Sequence, residues 1–141
     1  MKRSNPINLT GIDHVVLRAR DFEGLIEFYT DVIGCGLERV SPNYGIAQLR
    51  AGQSLVDIVD ASGRLGQMGG KAPDHQAENM DHFALQISPW NEAAIIEHLK
   101  EHGVEIGEVE HRYGARGNGP SLYIQDPEGN HLELKGVESA A

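Results

Sequence analysis

Cysteine is almost absent from this chain of 141 residues: Cys35 stands alone, so no disulfide can form within it, in keeping with a reducing compartment. Long apolar runs are absent too. The longest is far short of the ~20 residues needed to cross a bilayer. The opening Met1-Lys2-Arg3-Ser4-Asn5-Pro6 has no apolar signal core behind it, so the expectation is a cytoplasmic protein with no membrane partner. Positive charge is scarce as well. Twelve Lys and Arg against 21 Asp and Glu leave a net charge of −9, which argues against a nucleic-acid or anionic-lipid partner. What remains is enough chain for one core, 40% hydrophobic, with no need of a cross-link and no room for a second full domain.

Within that length the chain repeats itself. Gly11-Ile12-Asp13-His14-Val15-Val16-Leu17-Arg18 returns 68 positions later as Asn79-Met80-Asp81-His82-Phe83-Ala84-Leu85-Gln86, with Asp, His and Leu in register. Each copy leads into helical periodicity: Leu25, Phe28, Tyr29, Val32 and Ile33 in the first, Ala93, Ile96 and Leu99 with Ile95 alongside in the second. Gly34 and Gly36 stop one helix and Gly103 the other, and short extended runs follow at Leu37 to Val40 and Val104 to Val109. Alternating strand pairs come next: Gly45 to Arg50 with Ser54 to Val59, and Pro120 to Gln125 with His131 to Lys135. Each half therefore reads β-α-β-β-β. The division is an N-terminal extension over 1–10, a first module over 11–62, a glycine-rich linker over 63–78 expected to be a mobile loop, a second module over 79–136 and a tail over 137–141.

Because alternate residues of a strand face opposite sides, each strand can be sorted by its apolar positions. Val15 and Leu17, Phe83 and Leu85, Val56 and Ile58, and Leu132 and Leu134 must cover the helices. That leaves His14, His82, Asp57 and Glu133 on the opposite face, joined there by Ser121, Tyr123 and Gln125 and by Ile46, Gln48 and Arg50. A face carrying imidazoles and carboxylates does not pack a second helical layer; it curls around a cavity. The predicted class is α+β, a curved mixed sheet forming a half-barrel cleft with helices on its outer face. Two histidines and a carboxylate on such a wall form a set suited to Fe(II), Mn(II), Ni(II) or Zn(II). The alternative is a pair of ordinary hydrogen-bonded strand histidines and a surface glutamate.

These residues resemble the vicinal oxygen chelate superfamily, also called the glyoxalase, bleomycin resistance and dioxygenase superfamily. The likeness covers residues 11 to 136 and rests on Gly11 to Leu17, Phe28 to Leu37, Asp81 to Leu85, and the closing string Ser121 to Leu134 with its Asp126-Pro127-Glu128-Gly129-Asn130 turn. It implies paired βαβββ modules, one divalent metal per site held by His14, His82 and Glu133, and a small substrate chelating through adjacent oxygens. Lactoylglutathione lyases carry a further glutamate at the position of Asp57; the shorter aspartate speaks against isomerisation of a hemithioacetal. His111 to Tyr123 looks closer to the loop of fosfomycin-resistance enzymes. In several branches the site forms between two chains, His14 from one and His82 and Glu133 from the other, so a homodimer is expected.

The remaining candidates are weighed residue by residue. Asp57 is a ligand, a general base or a bystander. Tyr123 and Ser121 face the cavity and could orient a substrate oxygen, with Tyr123 and Asp57 the candidate catalytic pair. Arg112 and Arg116 could clamp an anionic substrate or belong to a solvated loop. His75, His98, His102 and His111 read as surface residues, His131 as the one extra histidine with the parity to reach the site, and Cys35 as a small buried filler. The leading function is a metal-dependent enzyme of lyase, isomerase or thiol- and epoxide-adding type. Fe(II) extradiol ring cleavage and a non-catalytic drug binder of the bleomycin-resistance kind are the alternatives.

Overall fold

The computed structural model describes residues 6–7, 10–74 and 80–138; His75 and Asn79, named above, lie outside the described residues. Strand β1 (His14–Ala19) is followed by helix α1 (Phe22–Glu27), which the Asp21 side chain caps by accepting a hydrogen bond from Gly24 N at 3.1 Å. The helix runs on as one π-helical turn over Phe28–Val32 and ends at Gly34, whose φ of 96° suits a residue without a side chain. Strands β2 (Gly36–Ser41), β3 (Ile46–Ala51) and β4 (Ser54–Asp60) complete the first module. The second repeats the order with β5 (Phe83–Gln86), α2 (Glu92–Glu101), β6 (Glu110–Gly114), β7 (Gly117–Gln125) and β8 (His131–Lys135).

Two four-stranded mixed sheets result, ordered β1-β4-β3-β2 and β5-β8-β7-β6, with the first strand of each module parallel to its last and the other pairs antiparallel. Among the described residues no ladder joins the sheets, so β1 and β5 are both edge strands. The helix-facing residues of both sheets share one apolar core: Leu17, Leu49, Val56 and Ile58 of the first module meet Leu99, Leu122, Ile124, Leu132 and Leu134 of the second. Tyr29 lies between the modules, stacked on Phe83 at a centroid distance of 6.3 Å.

The turn after β7 locks the two halves. Asp126 is buried and accepts from Tyr29 Oη at 2.8 Å, Glu128 N and Asn130 N at 2.9 Å, and Asn130 Nδ2 at 2.8 Å. Glu128 beside it accepts from Arg20 N at 2.6 Å and Asp21 N at 3.2 Å. The Tyr29 phenol, its acidity suppressed first by burial and then by the Asp126 charge, remains a donor.

Four expectations are corrected. Val104 to Val109 forms no strand: Val104, Ile106 and Val109 pack on the core, but pairing begins only at Glu110. His111 to Tyr123 is no loop but most of a hairpin, β6 and β7 joined at Gly114 and Gly117. Gly119 belongs there because a Cβ would run into the Gly136 carbonyl and the Val137 backbone. The core face of α2 is Ile95 and Leu99, with Ala93 exposed. And the start of the linker is pinned: Arg18 donates to the carbonyls of Gly66 at 2.9 Å, Gly70 at 2.6 Å and Lys71 at 3.0 Å, around a 3₁₀ turn over Gly66–Gly69. No helix among the described residues is long and apolar enough to cross a membrane.

Cys35 is buried, and burial pushes its thiol up to about 11. At pH 8 about one thiol in a thousand is then ionised. Labelling of the native protein by a thiol-disulfide reagent is expected to be slow and to become prompt in urea. Rapid stoichiometric labelling without denaturant would contradict the buried placement.

Candidate metal centre

Strand β8 sets Glu133 between Leu132 and Leu134, whose burial in the core turns the carboxylate to the other side of the sheet. Tyr123 stands opposite it on β7, and His82 immediately precedes β5, which lies on the other flank of β8. His82 Nε2 comes within 3.2 Å of Glu133 Oε1 and 3.5 Å of Tyr123 Oη, and the two rings meet edge to face at 5.1 Å. The Tyr123 phenol is raised above its ordinary range, by burial first and then by its hydrogen bond to Glu133 and that carboxylate's charge, with Arg112 acting in the opposite direction. It stays protonated at neutral pH and presents a donor to the site. Arg112 lies over the Tyr123 ring, 4.8 Å from its centroid, and is held by Glu110 at 2.6 Å and Ser121 Oγ at 3.4 Å.

The first module carries the matching arrangement. Asp57 on β4 pairs with Val16 of β1 and with Gln48 of β3, so Gln48 occupies the place that Tyr123 holds in the second module. Asp57 is 3% exposed, and its Oδ1 has no hydrogen-bond partner among the described residues; Gln48 Nε2 reaches the other oxygen only at 3.5 Å. An orphaned buried carboxylate oxygen is costly unless something outside the chain satisfies it. His14 is shifted toward the protonated form, chiefly by its hydrogen bond to Asp13, with burial opposing and the charges of Asp57 and Asp13 reinforcing it.

Both histidines are oriented alike. His14 Nδ1 lies 2.7 Å from Asp13 Oδ2 and His82 Nδ1 lies 2.6 Å from Asp81 Oδ2. A carboxylate on Nδ1 favours the tautomer with its proton there and turns Nε2 toward the site, the usual outer support of a metal-ligating imidazole. His82 Nε2 and Glu133 Oε1, 3.2 Å apart, point at the same space, where a cation would be held by both. The donor set fits a divalent metal in two halves, His14 with Asp57 and His82 with Glu133. Among the described residues no three His, Cys, Asp or Glu side chains gather around one point. His14, His82 and Glu133 are thus not assembled within one chain.

The other candidates divide. Ser121 is fully buried beside Arg112, whereas Arg116 spends its guanidinium on the carbonyls of Lys135 at 3.1 Å and Ile87 at 3.5 Å and so braces the hairpin. His98, His102 and His111 are exposed. His131 is exposed too, 3.3 Å from Gln125 Nε2. Asp13, Asp81 and Gln48 were given no role in the sequence reading. The signal for the aspartates was present in the repeated Asp-His pair.

The family model described as Glyoxalase/Bleomycin resistance protein/Dioxygenase superfamily matches residues 11–134. The chain is 26% identical over 141 residues to glyoxalase domain-containing protein RDO1 of Mycosarcoma maydis, an alignment covering 99% of this chain and 75% of that protein. It is 28% identical over 127 residues to a catechol-2,3-dioxygenase of Bacillus subtilis strain 168, covering 89% of this chain but only 41% of the dioxygenase. Among solved structures, the fosfomycin resistance protein FosX of Listeria monocytogenes shares the fold with a TM-score of 0.67 at 19% identity, over 93% of this chain and 96% of that one.

Proposed function

Since the chain belongs to the glyoxalase/bleomycin resistance/dioxygenase superfamily, we propose that it is a divalent-metal-dependent enzyme acting on a small oxygen-chelating substrate, with each site shared between two copies. His14 and Asp57 of one copy face His82 and Glu133 of the partner subunit. The observation that carries this reading is the presence in one chain of two separated half-sites of like construction, each a histidine anchored by the preceding aspartate beside an inward carboxylate. Edge strands β1 and β5, each with an outer edge that joins no ladder among the described residues, offer the backbone along which two copies can associate. Drug sequestration would have no use for two imidazoles each oriented by an aspartate on Nδ1.

When bound, the ion supplies Lewis-acid stabilisation of charge developing on a substrate oxygen. The chain's own residues do the rest. Tyr123 keeps its proton and donates a hydrogen bond to a substrate oxygen, while Arg112, stacked on that ring, lends positive charge to an anionic substrate. The free oxygen of Asp57 accepts a proton or completes the ligand set. That supports lyase, isomerase or nucleophile-adding chemistry. The likeness to a catechol-2,3-dioxygenase favours a second reading, iron-dependent ring cleavage, in which Asp57 stays outside the ligand set.

Elemental analysis of protein purified without chelator tests both. About one divalent ion per chain is expected, one per composite site of a two-fold dimer. Iron would favour the dioxygenase reading, and manganese, nickel or zinc the other. Failure to take up any of the four on titration would leave the drug-binding alternative.

A further inference from the structure

The two modules differ at one place that neither the metal site nor the fold requires. In the first, β2 pairs with β3 from Gly36 opposite Arg50 to Ser41 opposite Ile46, with one register shift between Leu37 and Arg39. In the second, β6 pairs with β7 only as far as Glu110 opposite Ser121, and the chain before it, Val104 to Val109, runs past β7 without joining the ladder. Between that segment and the end of β7 lies a cavity of about 630 Å³, lined by Gly103 to Gly107 on one side and Tyr123 to Pro127 on the other, with His102 and His131 at its polar wall. A volume of this order suits a small organic ligand.

The wall formed by β7 has a definite hydrogen-bonding pattern. Gly136 N bonds Pro120 O and Asp126 N bonds Asn130 O, so residues 120, 122, 124 and 126 spend their main-chain groups on β8. The alternate residues turn theirs to the other edge. Glu110 meets Ser121 there, but on that edge Tyr123 and Gln125, which pair with β8 on the other, have no ladder partner among the described residues. Two unpaired residues two apart along a strand present an N–H and C=O array with a repeat of about 6.8 Å, which an extended amide chain matches.

We infer that this groove is a binding site for an extended amide-bearing segment of two or three peptide-like units, which adds to the free edge of β7 and has its inner end at Tyr123. Tyr123 is common to both places: it lines the groove, and its hydroxyl lies 3.5 Å from His82 Nε2 of the half-site, so the inner end of the occupant stops beside a residue of the proposed reaction centre. Taking the occupant to be the tail of the substrate rests on the metal-enzyme reading; the capacity of the groove to bind does not.

The test uses the full chain with N-acetyl-trialanine amide as probe and follows amide hydrogen exchange. Millimolar peptide is expected to slow exchange at Tyr123 and Gln125 about tenfold or more. Gly107→Phe fills the groove: Gly107 lines it, has an ordinary φ, and a Cβ there meets nothing within 4 Å, so the variant should fold. Peptide protection should vanish in this variant while its metal content stays that of the unaltered protein. Absence of protection in the unaltered protein, or equal protection in Gly107→Phe, would overturn the inference. So would protection that rises with protein concentration in the absence of peptide, because a second copy would then cover the edge. Peptide protection in a protein that takes up no metal would keep the groove and remove the enzyme reading.

Discussion

Mixing His14→Ala protein with His82→Ala protein restores metal binding that neither variant retains alone. In a two-fold dimer with shared sites, a hybrid of the two variants has one site lacking both histidines and one site with both intact. Random exchange makes half the dimers hybrids, so metal content returns to about one quarter of the unaltered level. A site formed inside one chain predicts no recovery, because every chain then lacks one ligand. The geometry makes the two outcomes separable: His82 and Glu133 are 3.2 Å apart, yet no third ligand joins them among the described residues. Loss of one histidine leaves two or three donors, which hold a divalent ion far more weakly than the full three or four, so each variant alone should fall well below half occupancy. Subunit exchange must be allowed to finish, for instance by mixing in mild urea and dialysing with the metal.

Asp126→Ala should be the most damaging single change in the fold. It leaves four donors without their acceptor, among them the buried Tyr29 hydroxyl and two backbone N–H groups of the turn. Hydrogen bonds to a charged group contribute more than neutral ones, and orphaned buried donors add their desolvation, so a loss of about 3–4 kcal/mol is expected. For a chain of this length that lowers Tm by about 10 °C. Tyr29→Phe removes one of the four bonds and should cost about 1–2 kcal/mol. Urea denaturation of both variants checks the order. A Tyr29→Phe change as costly as Asp126→Ala would mean that the contact between modules, and not the turn, is what the carboxylate sustains.

The contrast explains what the sequence disclosed and what it withheld. Parity placed Asp57 and Glu133 on one side of their strands because each is flanked by core residues, as Leu132 and Leu134 flank Glu133, and placed His14 and His82 by the apolar Val15 and Phe83 that follow them. Alternation reports which way a side chain faces and says nothing about ladder partners. Val104, Ile106 and Val109 meet their apolar demand by packing on the core, so a strand was expected where none pairs. Glycines and a proline hid the β6–β7 hairpin for the opposite reason: Gly119 marks a close approach of backbone, which in sequence looks like a turn. The repeat could not disclose the separation of the half-sites, because repetition fixes what each module contains without fixing which module it faces; the family resemblance alone pointed to a site shared between chains.

The bond from Tyr29 to Asp126 spans 97 residues, and the core that covers the first sheet is finished by Leu132 and Leu134 near the far end of the chain. During synthesis the first module can zip its own ladders and lay α1 on them once Asp60 has left the ribosome, yet its apolar side stays only partly covered until β8 emerges. For that interval the nascent chain carries a formed sheet with an open greasy face, which makes the first half a natural client for a chaperone that grips exposed hydrocarbon and lets go only when translation is complete.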